Sequence, residues 1–244
     1  SAAYEVHLAR NNREVEAAQR LRFEVFNLEL GEGLLQSYGR RLDADAFDTV
    51  CDHLVVCEQA SGRVVGTYRL QTGAMAGAGL GYYSEREFDF APFERHRARI
   101  VELGRACVHA DHRTFAVLNL LWHGIAAYAL QRGARFLVGC SSLTSLDERV
   151  GAAAWQRLQV HQVDDALYTR PRADFACTLD NIGPSPSIPR LLTAYLALGA
   201  KVCGPPAIDR EFGTIDFLTW LDLEATGVAE ERRRARFGMP ACRT

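Results

Sequence analysis

Glu102 and Arg105 flank Gly104 in the run Ile100-Val101-Glu102-Leu103-Gly104-Arg105-Ala106-Cys107-Val108-His109. The run reads as a strand carrying one acid and one base beside a glycine. With Val101 and Leu103 turned to one layer, Glu102 faces the other. Glycine inside a strand marks a bulge or a close approach of a ligand. A bulge releases a backbone N–H and C=O from the ladder, and these can hold an amide-bearing arm and stabilise a developing oxyanion. A carboxylate beside them can take a proton from an attacking amine, directly or through water. Arg105 can orient that carboxylate, or bind a phosphate or a substrate carboxylate. The structural alternative is a plain ion pair between Glu102 and Arg105 or a distant arginine.

Four aspartates, Asp43, Asp45, Asp48 and Asp52, crowd one irregular stretch. They suit a cationic amine, or simply a solvated loop, and their spacing is no EF-hand. Arg69 lies in Gly66-Thr67-Tyr68-Arg69-Leu70, among apolar neighbours, and needs a carboxylate partner there. One of the aspartates is the natural candidate, with Arg22 on the first helix beside it. His109, His112 and His123 lack further ligands at zinc-like spacing, so no metal site is expected. Gly139-Cys140-Ser141-Ser142 is not a nucleophile elbow. No GxGxxG, P-loop or GxSxG is present, so dinucleotide, nucleotide-phosphate and serine-hydrolase chemistry lack their mechanical elements. Arg95, Arg97, Arg99, Arg113 and the Arg232–Arg234 run would make a basic rim for an acidic protein or anionic lipid heads, or a merely solvated face.

The elements that must position these groups follow from periodicity and caps. Strands are expected at Tyr4–Leu8, His53–Glu58, Arg63–Gln71, the Glu102 run, Ala134–Cys140, Ala200–Cys203 and Thr214–Leu223. The second and third form a hairpin around Ser61-Gly62. Helices are expected from Asn11 or Asn12 to about Leu30, from Phe115 to Arg132, over Gly151–Leu158 and over Ile188–Leu198. His161–Leu167 continues a helix or forms a turn. Thr72–Gly81 reads as a flexible connection, Tyr82–Phe93 as a short helix and turn, and Phe175–Leu179 as a candidate strand within a Pro-rich connection. Glu230–Arg236 reads as a basic helix. The order makes an α/β protein around one mixed sheet, and the hairpin argues against a doubly wound parallel one.

Composition sets the outer limits. The 244 residues are 48% hydrophobic and 24% charged, which predicts a packed core. A net charge of -2 gives no reason to expect nucleic-acid binding. The seven cysteines include no CxxC pair and read as buried free thiols in a reducing compartment. No apolar run approaches a membrane span and no segment has signal-peptide form. The expectation is a cytoplasmic protein, with peripheral contact at the inner membrane face left open.

Several segments then resemble a known group. They are Arg20-Leu21-Arg22-Phe23-Glu24-Val25-Phe26, Phe47–Val56, Val64–Leu70, Tyr83-Ser84-Glu85-Arg86-Glu87-Phe88-Asp89, Glu102–His109, Leu121–Tyr128, Tyr195–Gly204 and Phe212-Gly213-Thr214-Ile215-Asp216-Phe217. In this order they are similar to the bacterial ornithine N-acyltransferases of ornithine-lipid synthesis, a branch of the GNAT superfamily. That branch is itself similar to the N-acyl amino acid synthases and the acyl-homoserine-lactone synthases. The resemblance implies a single GNAT-type domain over residues 1–244, with a mixed central sheet flanked by helices and an elaborated C-terminal half from about 141. It implies transfer of a long-chain, 3-hydroxy fatty acyl group from the 4′-phosphopantetheine arm of acyl carrier protein to the α-amine of ornithine, ending at the lyso product. Glu102 then matches the general base and Arg105 its support. Arg22, Phe26, Asp45, Asp48 and Arg69 match the substrate side, and Gly104, Ala106, Val108 and Arg113 the donor side. Ordinary acetyltransferases carry a glycine-rich pyrophosphate loop where this chain reads Ala110-Asp111-His112-Arg113-Thr114. Its absence favours a carrier-borne donor over coenzyme A. An apolar tunnel for ten or more carbons is expected beside the central strand. Another amino acid acceptor, a lactone-type synthase using S-adenosylmethionine, and a non-catalytic carrier-binding module remain alternatives.

Overall fold

The computed structural model describes residues 3–226. Strand β1 (Tyr4–Leu8) leads to helix α1 (Asn12–Phe23), whose first turn is capped by the Asn11 side chain accepting from the Arg13 and Glu14 N–H groups. The helix continues to Leu30, as expected, but its last turns, Glu24–Leu30, widen into a π-helix closed by left-handed Gly31. The acidic stretch folds as helix α2 (Ser37–Arg40) and a 3-10 turn, Ala46–Thr49, capped by Asp45. Strands β2 (Asp52–Glu58) and β3 (Val64–Thr72) form the expected hairpin.

The segment after β3 is not a flexible connection. Thr72 caps a short helix α3 (Gly73–Gly77), and a Cβ at Gly73 would lie 2.0 Å from the Arg97 carbonyl oxygen. Tight 3-10 turns at Tyr83–Arg86 and Ala91–Arg99 lead into β4 (Ile100–Val108). Helix α4 (Phe115–Gln131) starts on a Thr114 cap and is followed by left-handed Gly133. Then come β5 (Phe136–Leu143), α5 (Glu148–Leu158), α6 (Arg190–Ala197), β6 (Lys201–Val202), β7 (Ala207–Asp209) and β8 (Thr214–Asp222). The stretch expected as a strand at Phe175–Leu179 contributes only a bridge from Ala176 to Ala207, and His161–Leu167 holds 3-10 turns. Strand β7 was hidden by its brevity and by the Gly204-Pro205-Pro206 turn before it. The expected helix over Glu230–Arg236 lies outside the described residues.

The sheet runs β1-β2-β3-β4-β5-β8-β6, with β7 also on β8. Among the strands of the described residues, only β4 and β5 pair in parallel. Period-two burial fixes its faces. Val56 packs under α4 with Leu121 and Ile125, while adjacent Val55 packs under α1 with Ala18 and Leu21.

The feature that matters is where β4 and β5 part. Their ladder ends at Glu102–Val138. Beyond it β4 stays on β3 as far as Val108–Gly66, and β5 stays on β8 as far as Leu143–Ile215. The sheet therefore opens as a V immediately after Glu102, and the inner edges of both strands lose their partners.

Candidate active site

A cavity of about 530 Å³ fills the opening. Leu103–Ala106 of β4 form one wall and Cys140–Leu143 of β5 the other, with Phe26 from the π-helical stretch at its side. Glu102 lines this cavity and is 6% exposed. As the alternation requires, Val101 and Leu103 pack toward the α4 core and Glu102 points the other way. Its Oε2 accepts the Tyr83 N–H at 2.7 Å, and its Oε1 accepts the Ser84 N–H at 2.9 Å and the Ser84 hydroxyl. Burial raises its pKa above the ordinary glutamate value, although these donors pull the other way. A held carboxylate with enhanced basicity is what proton removal from an amine needs.

Arg105 pairs with aspartates rather than directly with Glu102. It takes the left-handed backbone conformation, φ 49, and the β3–β4 register slips beside it, with Thr67 facing Cys107 and Arg69 facing Gly104. The bulge is thus on Arg105 rather than on Gly104. A Cβ on Gly104 would meet only Arg69 Nε, at 4.0 Å, so this glycine keeps the cavity wall low. The cost of a non-glycine residue there, of order 1–3 kcal/mol, is met by contacts on the Arg105 guanidinium. It lies 3.3 Å from Asp43, 3.1 Å from Asp45 and 4.2 Å from the Phe212 ring centroid.

Behind that wall the aspartates find arginines. Arg22 pairs with Asp43 at 2.8 Å and Asp48 at 2.6 Å, and Arg69 pairs with Asp45 at 2.6 Å and Asp48 at 3.0 Å. The expected carboxylate partner of Arg69 is therefore present. Burial opposes ionisation of Asp45 and Asp48, but Arg69 with Arg105, and Arg22 with Arg69, hold their pKa values below the usual range. Three cations meet three anions, so this cluster offers an incoming amine no surplus charge. Asp52 stands elsewhere, with Arg132 and Tyr128.

Carboxyl groups without matching cations do occur at a place the sequence did not single out. Glu87, Asp209 and Asp216 are each at most 6% exposed and bring carboxylate oxygens within 4.8 Å of one another. Asp209 and Asp216 line the same cavity as Glu102. Burial and then mutual repulsion push Glu87 well above the ordinary range, and burial also raises Asp216. One local signal was legible: an acid between Ile215 and Phe217, within an otherwise apolar strand, is expensive unless used.

Residues 21–123 match the acetyltransferase (GNAT) domain family. The L-ornithine N(alpha)-acyltransferase of Rhodobacter capsulatus is 36% identical over 239 residues, covering 91% of each chain. Its counterpart from Agrobacterium fabrum is 33% identical, over 91% of this chain and 81% of that one. The chain belongs to the L-ornithine N(alpha)-acyltransferase family. It is a GNAT acyltransferase. Among solved structures, the synthase LasI superposes with a TM-score of 0.55 at 14% identity, over 94% of this chain and 95% of that one. The N-acyl amino acid synthase FeeM superposes with a TM-score of 0.56 at 12% identity, over 93% and 97%. At these identities the likeness is one of fold.

The remaining sequence-derived residues fall in different places. Gly104, Arg105, Ala106, Arg69 and Phe26 line the cavity. Arg22, Asp45 and Asp48 stand behind it, and Val108 pairs with Gly66 and packs in the core. Arg113 is closed onto Glu29 at 2.6 Å and onto the Val108 carbonyl at 3.1 Å. Much of the basic rim is likewise paired: Arg97 with Glu85 and Glu94, and Arg99 with Glu224. Arg232–Arg234 lie outside the described residues. Among the described residues a second, smaller cavity of about 60 Å³ lies between β4, β5 and α6 and is bordered by the hydrogen-bonded hydroxyls of Tyr68 and Tyr195. No helix among the described residues is long and apolar enough to cross a membrane.

Proposed function

We propose that this acyltransferase moves a long-chain, 3-hydroxy fatty acyl group from acyl carrier protein to the α-amine of L-ornithine, giving a lyso-ornithine lipid. The observation that carries the reading is the buried, basic Glu102 carboxylate at the point where β4 leaves β5. The named activity of relatives sharing over 90% of the chain supports ornithine as acceptor. The unpaired edge of β4 at Leu103–Ala106 accepts the amides of the 4′-phosphopantetheine arm as an added strand would. The α-amine attacks the thioester carbon, Glu102 takes the amine proton, and backbone donors at the bulge stabilise the oxyanion. The tetrahedral intermediate collapses by breaking the C–S bond, and the thiol leaves with a proton. Arg105 and Arg69 line the cavity, where guanidinium N–H groups can meet the amino-acid carboxylate. Donor preference rests on the glycine-free turn Ala110–His112 at the place of a pyrophosphate loop.

Incubation with 3-hydroxyacyl carrier protein, or the same acyl group on coenzyme A, and a panel of amines tests this. Thiol release is expected with ornithine and the carrier-borne donor, and none with S-adenosylmethionine. Carrier binding without turnover for any amine would sink the enzyme reading.

A further inference from the structure

We infer that Glu87, Asp209 and Asp216 bind the side-chain ammonium of a dibasic amino-acid acceptor. The inference deepens the proposed function and rests on it for the reaction itself. The three acids come from separate elements: Glu87 ends the Tyr83–Arg86 turn, Asp209 ends β7, and Asp216 lies on β8 opposite Ala207 and Ser142. Asp209 and Asp216 line the cavity that Glu102 lines, with Glu87 beside them behind its wall, and buried Glu32 adds a further carboxyl to the lining. Arg105 is the nearby cation, and it is already spent on Asp43 and Asp45.

Glu87 Oε1 and Asp216 Oδ1 are buried without a well-formed hydrogen bond, on side chains 1% and 3% exposed, although the two carboxyl groups face each other and Ser142 stands beside Asp216. Buried acceptors in native proteins are almost always satisfied, so these await a donor. An ammonium supplies three donors, one for each carboxyl group. A calcium ion fits less well, because it asks for about six to eight oxygens. Here Asp209 Oδ1 is taken by the Glu211 and Phe212 N–H groups, its Oδ2 by the Tyr83 hydroxyl, and Asp216 Oδ2 by Thr214.

Tyr83 also sets the spacing. Its backbone N–H donates to Glu102 and its hydroxyl, at the other end of the side chain, donates to Asp209 at 3.1 Å. The base and the acid triad are therefore separated by the reach of one tyrosine. The two nitrogens of ornithine, divided by four carbons, suit that separation: the α-amine meets Glu102 while the far ammonium meets the triad.

The test compares ornithine with norvaline, which has the same carbon skeleton without the second amine, in wild type, Asp216→Asn and Glu87→Gln. Wild type is expected to prefer ornithine by about a hundredfold or more in kcat/KM. In Asp216→Asn the ornithine KM is expected to rise at least about tenfold, and the ornithine-to-norvaline ratio to fall by a similar factor. Unchanged ratios in both variants overturn the assignment. Calorimetric titration of ornithine, followed without any donor, separates this inference from the transfer reading. Ornithine binding in wild type that Asp216→Asn weakens, with no turnover, removes the proposed function and keeps the ammonium site. No ornithine binding, or binding that norvaline equals, overturns the site. Titration with Mg²⁺ or Mn²⁺ alone is expected to give no heat that Asp216→Asn removes. Metal binding lost in that variant, with turnover abolished by chelator, overturns it as well. Thermal unfolding of each variant checks that its fold is intact.

Discussion

Glu102 combines two opposed influences on one carboxyl group. Burial favours its protonated form, while Tyr83 and Ser84 hold the charged form in place. The first dominates, so the folded-state value lies above the ordinary glutamate value of about 4.3. Turnover is therefore expected to fall on the acid side as pH drops through that raised value, since only the carboxylate accepts a proton. Glu102→Gln is expected to lower kcat by about 10²- to 10⁴-fold. Its residual activity should rise with pH until the free amine deprotonates unaided. A pH profile of both proteins checks this, and near-wild-type turnover in the variant across the range removes Glu102 from the role. Arg105 belongs to the same scale. Its left-handed backbone is what turns the β4 edge away from the ladder, and its guanidinium is the clamp that keeps it there.

At the scale of elements, the parting of β4 and β5 makes the site. Gly139 sits at that point, on β5, where an added Cβ would lie 2.3 Å from the Leu103 carbonyl oxygen. No rotation relieves a clash with backbone, so the strands must move apart. Gly139→Ala is expected to destabilise the fold by about 1–3 kcal/mol. It should also lower kcat/KM more than the loss of folded protein explains, because Leu103 and Gly104 form the cavity wall. Chemical denaturation and kinetics on the folded fraction measure the two effects. Wild-type values for both would show that the close approach at Gly139 is not needed. The periodic elements around this point were legible locally. Helix α4 announces itself by its Thr114 cap, its apolar face and Gly133, and β2 and β3 by alternation and Gly62. The π-helical turn, the position of the bulge and β7 were not legible, because each depends on a neighbour in space rather than on the residues beside it in sequence.

Over the whole molecule, two sets of buried acids have opposite effects on stability. Asp45 and Asp48 have lowered values, so their contribution is present above the unfolded value of about 3.9 and is lost as pH falls through the lowered ones. Glu32, Glu87 and Asp216 have raised values. Their contribution is present below their unfolded values and is lost as pH rises through the raised ones. The ligand-free protein is therefore expected to be most stable at mildly acidic pH, with a decline toward neutrality that Asp216→Asn reduces. Thermal unfolding against pH checks this. A midpoint that only falls from neutrality down to pH 4 would mean that the triad is not a store of unfavourable charge.

The sequence by itself determined the long helices α1 and α4 and the strands β1 to β5 and β8, the facing of Glu102 away from the α4 core, and the need of Arg69 for an acidic partner. Each follows from period, cap chemistry or the cost of an unpaired buried charge, all of which act on neighbouring residues. Only the tertiary structure decided that three aspartates are neutralised by Arg22, Arg69 and Arg105, while Glu87, Asp209 and Asp216 are gathered without cations to match them. Charge balance is summed over groups close in space. The partners of Glu102 and of the triad are distant in sequence, and the Tyr83 turn and the β7–β8 pairing bring them to one cavity.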